Sequence, residues 1–324
     1  MDFRLTEDQR NLRDVIRDYL DKEHGPEVLR RLDEGERRDP AIWAGLVEMG
    51  IAGLLVPENH GGLEMGLIEA VLVATELGRA NVSESIADTA LIAAPLLAGD
   101  RQEALAAGEL RVALAHPINP WIADLANADM VLTGGKTIAA PEQCEALESV
   151  DPLRLLYTPM SADADDALLD RAALITAAQL LGAGERMLDL ATEYAKMREQ
   201  FGQPIGSFQA IKHHLASVAV KLEFARPLIW RAAYAAQHGH ARAPIHISHA
   251  KVAATDAAVF AAETAIQVHG AMGYTYEVDL HFWMKRAWAL AGAWGDRAFH
   301  RQRVDEAVLG GTLPITPDQT FASE

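Results

Sequence analysis

Four long stretches of helical periodicity in the second half of the chain constrain its fold most. They cover residues 164–200, 207–237, 244–268 and 279–308. Each stretch has an apolar face to bury and the connections are short, so successive helices must pack side by side in alternating directions. The sequence therefore predicts an antiparallel four-helix bundle. Alanine and leucine are abundant throughout the chain, which favours helices and predicts a mainly α protein.

The first 110 residues predict a second helical region. Thr6 begins a helix, and Gln9 three residues later completes a capping box. The apolar stripe of this helix consists of Leu12, Val15, Ile16 and Leu20. Apolar runs at 67–80 and 83–98 predict two further helices, and Ser83 is the expected cap of the later one.

The pattern changes between the two helical regions. The runs 112–115 and 130–133 are short, apolar and followed by proline or glycine, which is typical of strands. We therefore predict an N-terminal α-helical domain over residues 1–110, a small β region over 111–163 and a C-terminal four-helix bundle domain over 164–324.

The connection between the first two bundle helices carries an unusual segment, residues 198–209. Gly202 and Pro204 predict a helix end, and Ser207 predicts the N-cap of the next helix. Arg198 lies at this break, where it is placed to meet an anion. An ordinary helix–turn–helix corner with a surface arginine explains the same residues.

Another glycine-containing segment, residues 267–274, follows the mostly apolar run 247–266. Gly270 and Gly273 lie three residues apart at the expected helix end. Glycine at such a place lets the backbone approach a ligand closely, although Gly270 could also serve only as a helix C-cap.

Motifs near the N-terminus complete the set. They are Leu-Thr-Glu-Asp-Gln at 5–9, Met-Gly-Ile-Ala-Gly-Leu-Leu-Val-Pro-Glu at 49–58 and the glycine pair at 61–62. With the two segments above, these resemble the acyl-CoA dehydrogenase family, flavoenzymes that introduce a double bond between the α and β carbons of an acyl-CoA thioester. Several motifs in the same order make the resemblance more specific than any single pattern.

The resemblance implies FAD as cofactor and assigns residues to it. Arg198 matches the arginine that reaches the FAD pyrophosphate across a subunit interface, and Phe201 and Gln209 match the same segment. The residues that match the stretch along the adenosine half are Gln267, His269, Gly270 and Ala271. Ala271 replaces the second of two adjacent glycines usual in the family, and we interpret His269 as a packed or hydrogen-bonded histidine.

The catalytic base of the family has no counterpart. Its glutamate most often stands where this chain has Trp294, and in a minority of members where it has Ala172. Asp170 is the nearest alternative, but an offset of two residues turns a helical side chain by about 200°. An exposed acid in the first helical turns explains Asp170 equally, and Asp296 is expected to be a helix N-cap. We therefore predict no catalytic residue in this chain.

The β region also departs from the family. Members have a larger β domain at this position, whose loops cover the flavin ring and receive the acyl chain. Residues 111–163 are too few to form it, and the flavin loop has no recognisable match. A large part of the wall around the flavin ring is thus expected to be missing.

Charge and composition exclude other functions. The net charge is −17 and basic residues are dispersed, which argues against nucleic acid as a partner. No uncharged apolar run approaches the ~20 residues needed to cross a membrane, so we expect a cytoplasmic protein. Cys144 is the only cysteine, which indicates a passive thiol, and the histidine pairs lack further ligands for a metal site.

These features together predict the shorter, non-catalytic subunit of a bacterial α2β2 acyl-CoA dehydrogenase that acts on bulky acyl groups such as steroid remnants. A longer subunit is expected to supply the glutamate and bind most of the acyl-CoA, and an acceptor such as an electron-transfer flavoprotein to take the electrons. Two alternatives stay open. One is a non-enzymatic scaffold derived from the family, and the other is a self-sufficient dehydrogenase that uses Asp170.

Overall fold

The computed structural model describes residues 3–313 and residue 316. The helices are α1 (Glu7–Glu23), α2 (Pro26–Asp33), α3 (Pro40–Glu48), α4 (Leu67–Arg79), α5 (Asp100–Ala106), α6 (Asp166–Met197), α7 (Gln209–Gln237), α8 (Ala243–His269), α9 (Leu280–Gly292) and α10 (Arg297–Leu309). The strands are β1 (Val112–Leu114), β2 (Ile122–Ala123), β3 (Met130–Thr133), β4 (Lys136–Ala139), β5 (Ala146–Leu147), β6 (Leu156–Tyr157), β7 (Glu199–Gln200) and β8 (Gln203–Pro204). The mainly α prediction is confirmed.

Helix α1 begins as its sequence predicts. The Thr6 hydroxyl accepts from the Gln9 backbone N–H, and the Gln9 side chain accepts from that of Thr6. Ile16 and Leu20 are fully buried. The inclusion of Val15 in the buried stripe is wrong, because it lies about 100° around the helix from Ile16 and is 59% exposed.

Residues 83–98 do not form an α-helix. A π-helix spans Ala87–Ala93 and a 3₁₀ turn follows over Ala94–Leu96. Ser83 does not cap it, because the helix begins after Ile86. Within the π-helix the Thr89 hydroxyl accepts from the backbone N–H of Val112 in β1 at 3.1 Å, so this segment is tied to the β region.

The β region contains both predicted strands. β1 pairs in parallel with β3, and β4 pairs antiparallel with β3 in the same three-stranded sheet. The second small sheet has the order β2-β6-β5. Val112, Leu114 and Leu132 join the main core, so the first sheet is packed onto the helices.

Helix α6 crosses α4 closely enough that two glycines are required. A side chain on Gly78 would collide with the carbonyl of Gln179, and one on Gly182 would collide with the carbonyl of Thr75. Glycine permits this approach of two backbones. The helices before and after the β region therefore share one continuous core.

The first bundle helix ends earlier than predicted. It stops at Met197, and Gly202 is not its C-cap. Gly202 and Phe201 have φ of 81° and 54° and form the turn between β7 and β8, a position that favours positive φ. Ser207 is not the N-cap of α7 either, because its hydroxyl donates to the Pro204 carbonyl at 2.7 Å and the cap is Phe208.

The fourth predicted bundle helix, 279–308, is two helices. The chain breaks after Gly292, where Trp294 and Gly295 have φ of 58° and 88°. Asp296 is the N-cap of α10, as expected, and accepts from the Phe299 N–H at 2.8 Å. The break leaves Trp294 on a tight turn inside the protein.

Lys251 secures the start of this break. The side chain is fully buried on α8, and its Nζ donates to the carbonyls of Leu290 and Ala291 at 3.0 and 3.3 Å. These carbonyls lie at the end of α9, where they have no partner within the helix. Burial lowers the pKa of Lys251 to about 7.

We predict that Lys251→Met flattens the pH dependence of stability. In the unfolded chain lysine holds its proton up to about pH 10.4, whereas in the folded chain Lys251 loses it near pH 7. Between these values the unfolded state binds more protons, so this group makes the free energy of unfolding rise with pH. Urea denaturation of the original protein and the variant at several pH values between about 7 and 10 measures this pH dependence of the free energy of unfolding. Equal slopes for the two proteins would show that Lys251 keeps an ordinary pKa.

Candidate functional site

One end of the bundle brings the two predicted cofactor segments together. The ring of Tyr194, near the end of α6, stacks on His269 at the end of α8, with centroids 4.3 Å apart. The hairpin that carries Arg198 follows Tyr194 directly, and the loop of Gly270 follows His269. The predicted residues exposed at this end are Arg198, Phe201, Gln209, Gln267, Gly270 and Ala271.

Arg198 has a fixed backbone and an exposed side chain. Its N–H donates to the Tyr194 carbonyl and its carbonyl accepts from the Ile205 N–H, both at 2.8 Å. None of the ion pairs found between described residues involves its guanidinium. A preorganised arginine without a carboxylate partner is suited to a phosphate from another molecule.

Phe201 occupies the tip of the hairpin. Its ring is 93% exposed and meets Phe208 edge-on, with centroids 6.2 Å apart. A bulky residue at positive φ is uncommon, and a fully exposed aromatic ring is more typical of a contact surface than of an isolated subunit.

The position of Gly270 in the loop after α8 fits both predictions made for it, a helix C-cap and a place where a ligand can come close to the backbone. With φ of 60° and ψ of −134° it is the C-cap, and its N–H bonds to the end of α8. Among the described residues, no atom lies within 4 Å of the place a Cβ would take, so a ligand can approach. His269 is buried and its Nδ1–H donates to the Ala265 carbonyl at 2.8 Å, which makes it a packed histidine. Burial lowers the pKa of His269.

These residues fit the phosphate and adenosine part of FAD. An exposed unpaired arginine, an open glycine loop and an exposed Gln209 are suitable for a charged, flat ligand. None of the cavities found among the described residues is lined by these residues.

Trp294, which the resemblance places at the position of the family's base, has its backbone held from both sides. Its N–H donates to Asn119 Oδ1 at 2.9 Å, and its carbonyl accepts from His300 Nε2 at 2.8 Å. The other ring nitrogen of His300 contacts the Ser248 hydroxyl at 3.1 Å. Trp294 is only 4% exposed, so an indole fills this position.

The cavity beside Trp294 is small. Its volume is about 60 Å³, whereas ligand pockets usually measure roughly 300–1,000 Å³. Thr176, one turn after Ala172, also borders it, whereas Ala172 itself does not. Neither Ala172 nor Trp294 carries a carboxylate. The cavity of about 60 Å³ is by itself too small for an acyl chain.

Charged residues that were not singled out from the sequence surround this cavity. Asp88 and Arg154 line it together with Arg286, and Arg286 forms a buried ion pair with Asp151. Burial raises the pKa of Asp88 to about 6, and the nearby Arg154 opposes this rise. A lone aspartate within the apolar run 86–97 was the one available signal for Asp88.

Asp170 does not border the cavity. Its carboxylate accepts from Arg303 of α10 at 2.8 Å, and only 14% of its side chain is exposed. The alternative of an exposed acid is therefore wrong. Burial raises the pKa of Asp170, and the ion pair with Arg303 counteracts it.

Other candidate residues form no second site. Cys144 is half-buried against the small apolar cluster of the β region. Across residues 3–313, no group of three or more histidine, cysteine or acidic side chains is placed to hold a metal ion. None of the helices in these residues is long and apolar enough to span a membrane.

Comparison with known proteins identifies the family. Residues 6–103 match the acyl-CoA dehydrogenase N-terminal domain and residues 164–309 match the acyl-CoA dehydrogenase C-terminal domain. The acyl-CoA dehydrogenase IpdE2 of Mycobacterium tuberculosis is 35% identical over 297 residues, which are 87% of this chain and 91% of that protein. The chain belongs to the acyl-CoA dehydrogenase family, an oxidoreductase family of flavoproteins.

Solved structures share the fold. The ChsE4-ChsE5 complex from Mycobacterium tuberculosis contains a chain that superposes with a TM-score of 0.82 at 24% identity, covering 97% of this chain and all of that one. The Tcur3481-Tcur3483 steroid acyl-CoA dehydrogenase gives a TM-score of 0.81 at 22% identity, covering 94% and 99%. At these sequence identities, the similarity shows a shared fold.

We predict that Asp170 has a structural role with Arg303. Asp170→Asn and Arg303→Gln should each lower the free energy of unfolding by on the order of 1 kcal/mol, because each breaks the same partly buried ion pair. The double variant should lose little more than the larger single loss. Chemical denaturation of the three variants measures this. Fully additive losses would show that the two residues act independently.

Proposed function

We propose that this chain is the shorter, non-catalytic subunit of a heteromeric FAD-dependent acyl-CoA dehydrogenase. One contrast carries the proposal. The residues that match the family's FAD contacts are, except for the buried His269, exposed at one end of the bundle, whereas Trp294 fills the space at the position that matches the family's base. Such a chain can complete a cofactor site on a neighbour and lacks a reaction site of its own.

The length of α6 supports action on a neighbour. Thr176 borders the closed cavity and Arg198 follows the end of the helix, 22 residues later. At about 1.5 Å per residue the two are roughly 33 Å apart along the helix axis. Arg198 therefore lies far from the chain's own cavity, where a neighbouring subunit at the end of the bundle can reach it.

The role of each residue follows from its position. Arg198 would hold the pyrophosphate by charge-assisted hydrogen bonds, and Gln209 and the loop from Gln267 to Ala271 would border the adenosine half. FAD, when bound, accepts the hydride from the β carbon of the acyl group. The partner subunit would supply the base for the α proton and the wall around the flavin ring.

The substrate class and the partner follow from similar proteins. A two-chain complex and a steroid acyl-CoA dehydrogenase share this fold, which supports a heteromer acting on a bulky, steroid-derived acyl-CoA. An electron-transfer flavoprotein is a suitable acceptor for the reduced flavin. The division at residues 110 and 163 and a cytoplasmic location stay predictions.

Co-expression with the longer subunit tests the proposal. We expect this chain to be colourless and inactive when purified alone, and the complex to be yellow and to oxidise acyl-CoA. A yellow and active preparation of this chain alone would contradict the proposal. A colourless complex would favour the non-enzymatic scaffold instead.

We predict that Arg198→Ala weakens flavin binding in the complex. The lost contact is worth on the order of 1–3 kcal/mol, so the flavin dissociation constant should rise about fivefold or more. Arg101→Ala is the matched control, because Arg101 is also exposed but lies on α5. Flavin release during dialysis measures the effect. Equal retention by both variants, with assembly intact, would disprove the role of Arg198.

Turnover of the complex that carries Asp170→Asn tests the remaining alternative, in which this chain is a dehydrogenase that uses Asp170 as its base. The proposal predicts turnover within about twofold of the original complex, because Asp170 only pairs with Arg303. Loss of a general base would lower turnover roughly a hundredfold or more. A drop of that size with flavin content unchanged would make this chain the catalytic subunit.

A further inference from the structure

A turn from the β region borders the cavity beside Trp294, with Arg154 and Leu155 in its lining. Asp151 lies at the start of this turn and is fully buried. The N–H of Asp151 donates to the Ser149 hydroxyl at 3.1 Å. The Asp151 carboxylate accepts from the Leu153 N–H at 3.0 Å, and its carbonyl accepts from the Arg154 N–H at 3.1 Å. The turn is therefore compact and built around one carboxylate.

Arg286 fastens this turn to the helices. Its guanidinium pairs with Asp151, and only 7% and 1% of the two side chains are exposed. A second nitrogen of Arg286 donates to the Val82 carbonyl at 2.9 Å. The arginine thus joins α9, the turn and the segment after α4. Breaking a buried pair of this kind is costly because it leaves one charge unpaired.

The next residue of the turn, Arg154, projects toward Asp88. Both line the cavity of about 60 Å³, and none of the side-chain hydrogen bonds or ion pairs found between described residues involves the Asp88 carboxylate or the Arg154 guanidinium. The Arg154 guanidinium lies 5.9 Å from the centre of the Trp121 ring. Burial lowers the pKa of Arg154 and raises that of Asp88, and each opposes the shift of the other. Charged side chains therefore share this small cavity with apolar ones such as Leu155 and Leu290, and the volume that remains is too small for an acyl chain.

We propose that residues 151–155 form an internal plug that closes this chain's own acyl pocket. The inference rests on the proposed function, under which the partner provides the working pocket. It adds the structural device by which this chain excludes acyl-CoA, because the turn and Trp294 fill the space between them. The plug belongs to the short β region, so the same segment that lacks the flavin wall also blocks the substrate.

Binding of octanoyl-CoA to the purified full chain tests the plug, without flavin or partner. At about 0.5 mM ligand we expect less than about a tenth of a molecule bound per chain by equilibrium dialysis. The variant Arg154→Ala/Trp294→Ala removes two large side chains from the cavity and should bind about one molecule per chain. Arg101→Ala is the control and should bind as little as the original protein.

Two results would overturn the plug. One is stoichiometric binding by the original chain, and the other is a folded double variant that binds no more than the control. If the double variant does not fold, hydrogen exchange of the single variant Arg286→Lys, which weakens the contact that fastens the turn, decides. We expect the Leu153 amide to exchange at least about tenfold faster while the Val218 amide in α7 is unchanged. An unchanged Leu153 amide would equally overturn the plug.

These results are separate from those on the proposed function. A heteromer that is yellow and active, together with an original chain that binds octanoyl-CoA, would disprove only the plug. A chain that excludes octanoyl-CoA but never yields a yellow complex would disprove only the proposed function.

Discussion

The close crossing of α6 on α4 is the constraint on which the rest of the molecule depends. Gly78 and Gly182 allow the two backbones to touch, and a side chain on either would push the helices apart. Helix α6 is then held in the centre, packed against α4, α7, α8 and α9. Its buried middle borders the closed cavity, and its end positions Arg198. One rigid helix therefore determines where both halves of the proposed function lie.

Local sequence signals were sufficient to predict features that depend only on residues close together in the sequence. The capping box of Thr6 and Gln9 and the strand Met130–Thr133 formed as predicted. The break at Trp294 was not predicted, although Asp296 was recognised as a cap. Gly292 and Gly295 were the local signals of the break, whereas the hydrogen bonds of Asn119 and His300 to the Trp294 backbone join residues that are distant in the sequence or beyond the break.

The residues of the candidate site also differ in whether the sequence could predict them. Arg198 and Gly270 could be found from the sequence because a glycine and an arginine at a helix end leave a local pattern. The charged plug could not, because Asp151 and Arg286 are 135 residues apart and meet only in the folded chain. Ion pairs of this kind have no period or spacing that identifies them beforehand. The assignment of FAD contacts to particular residues stays a prediction.

The most direct test of the account is the ratio of flavin to protein in the complex of this chain with its longer partner. Absorbance of the bound flavin, compared with the amounts of both chains from amino-acid analysis, gives this ratio. The account predicts one flavin for each pair of unlike chains, because this chain contributes Arg198 and its bundle end but no flavin wall. Two flavins for each pair would contradict it, since this chain would then hold a complete cofactor site of its own.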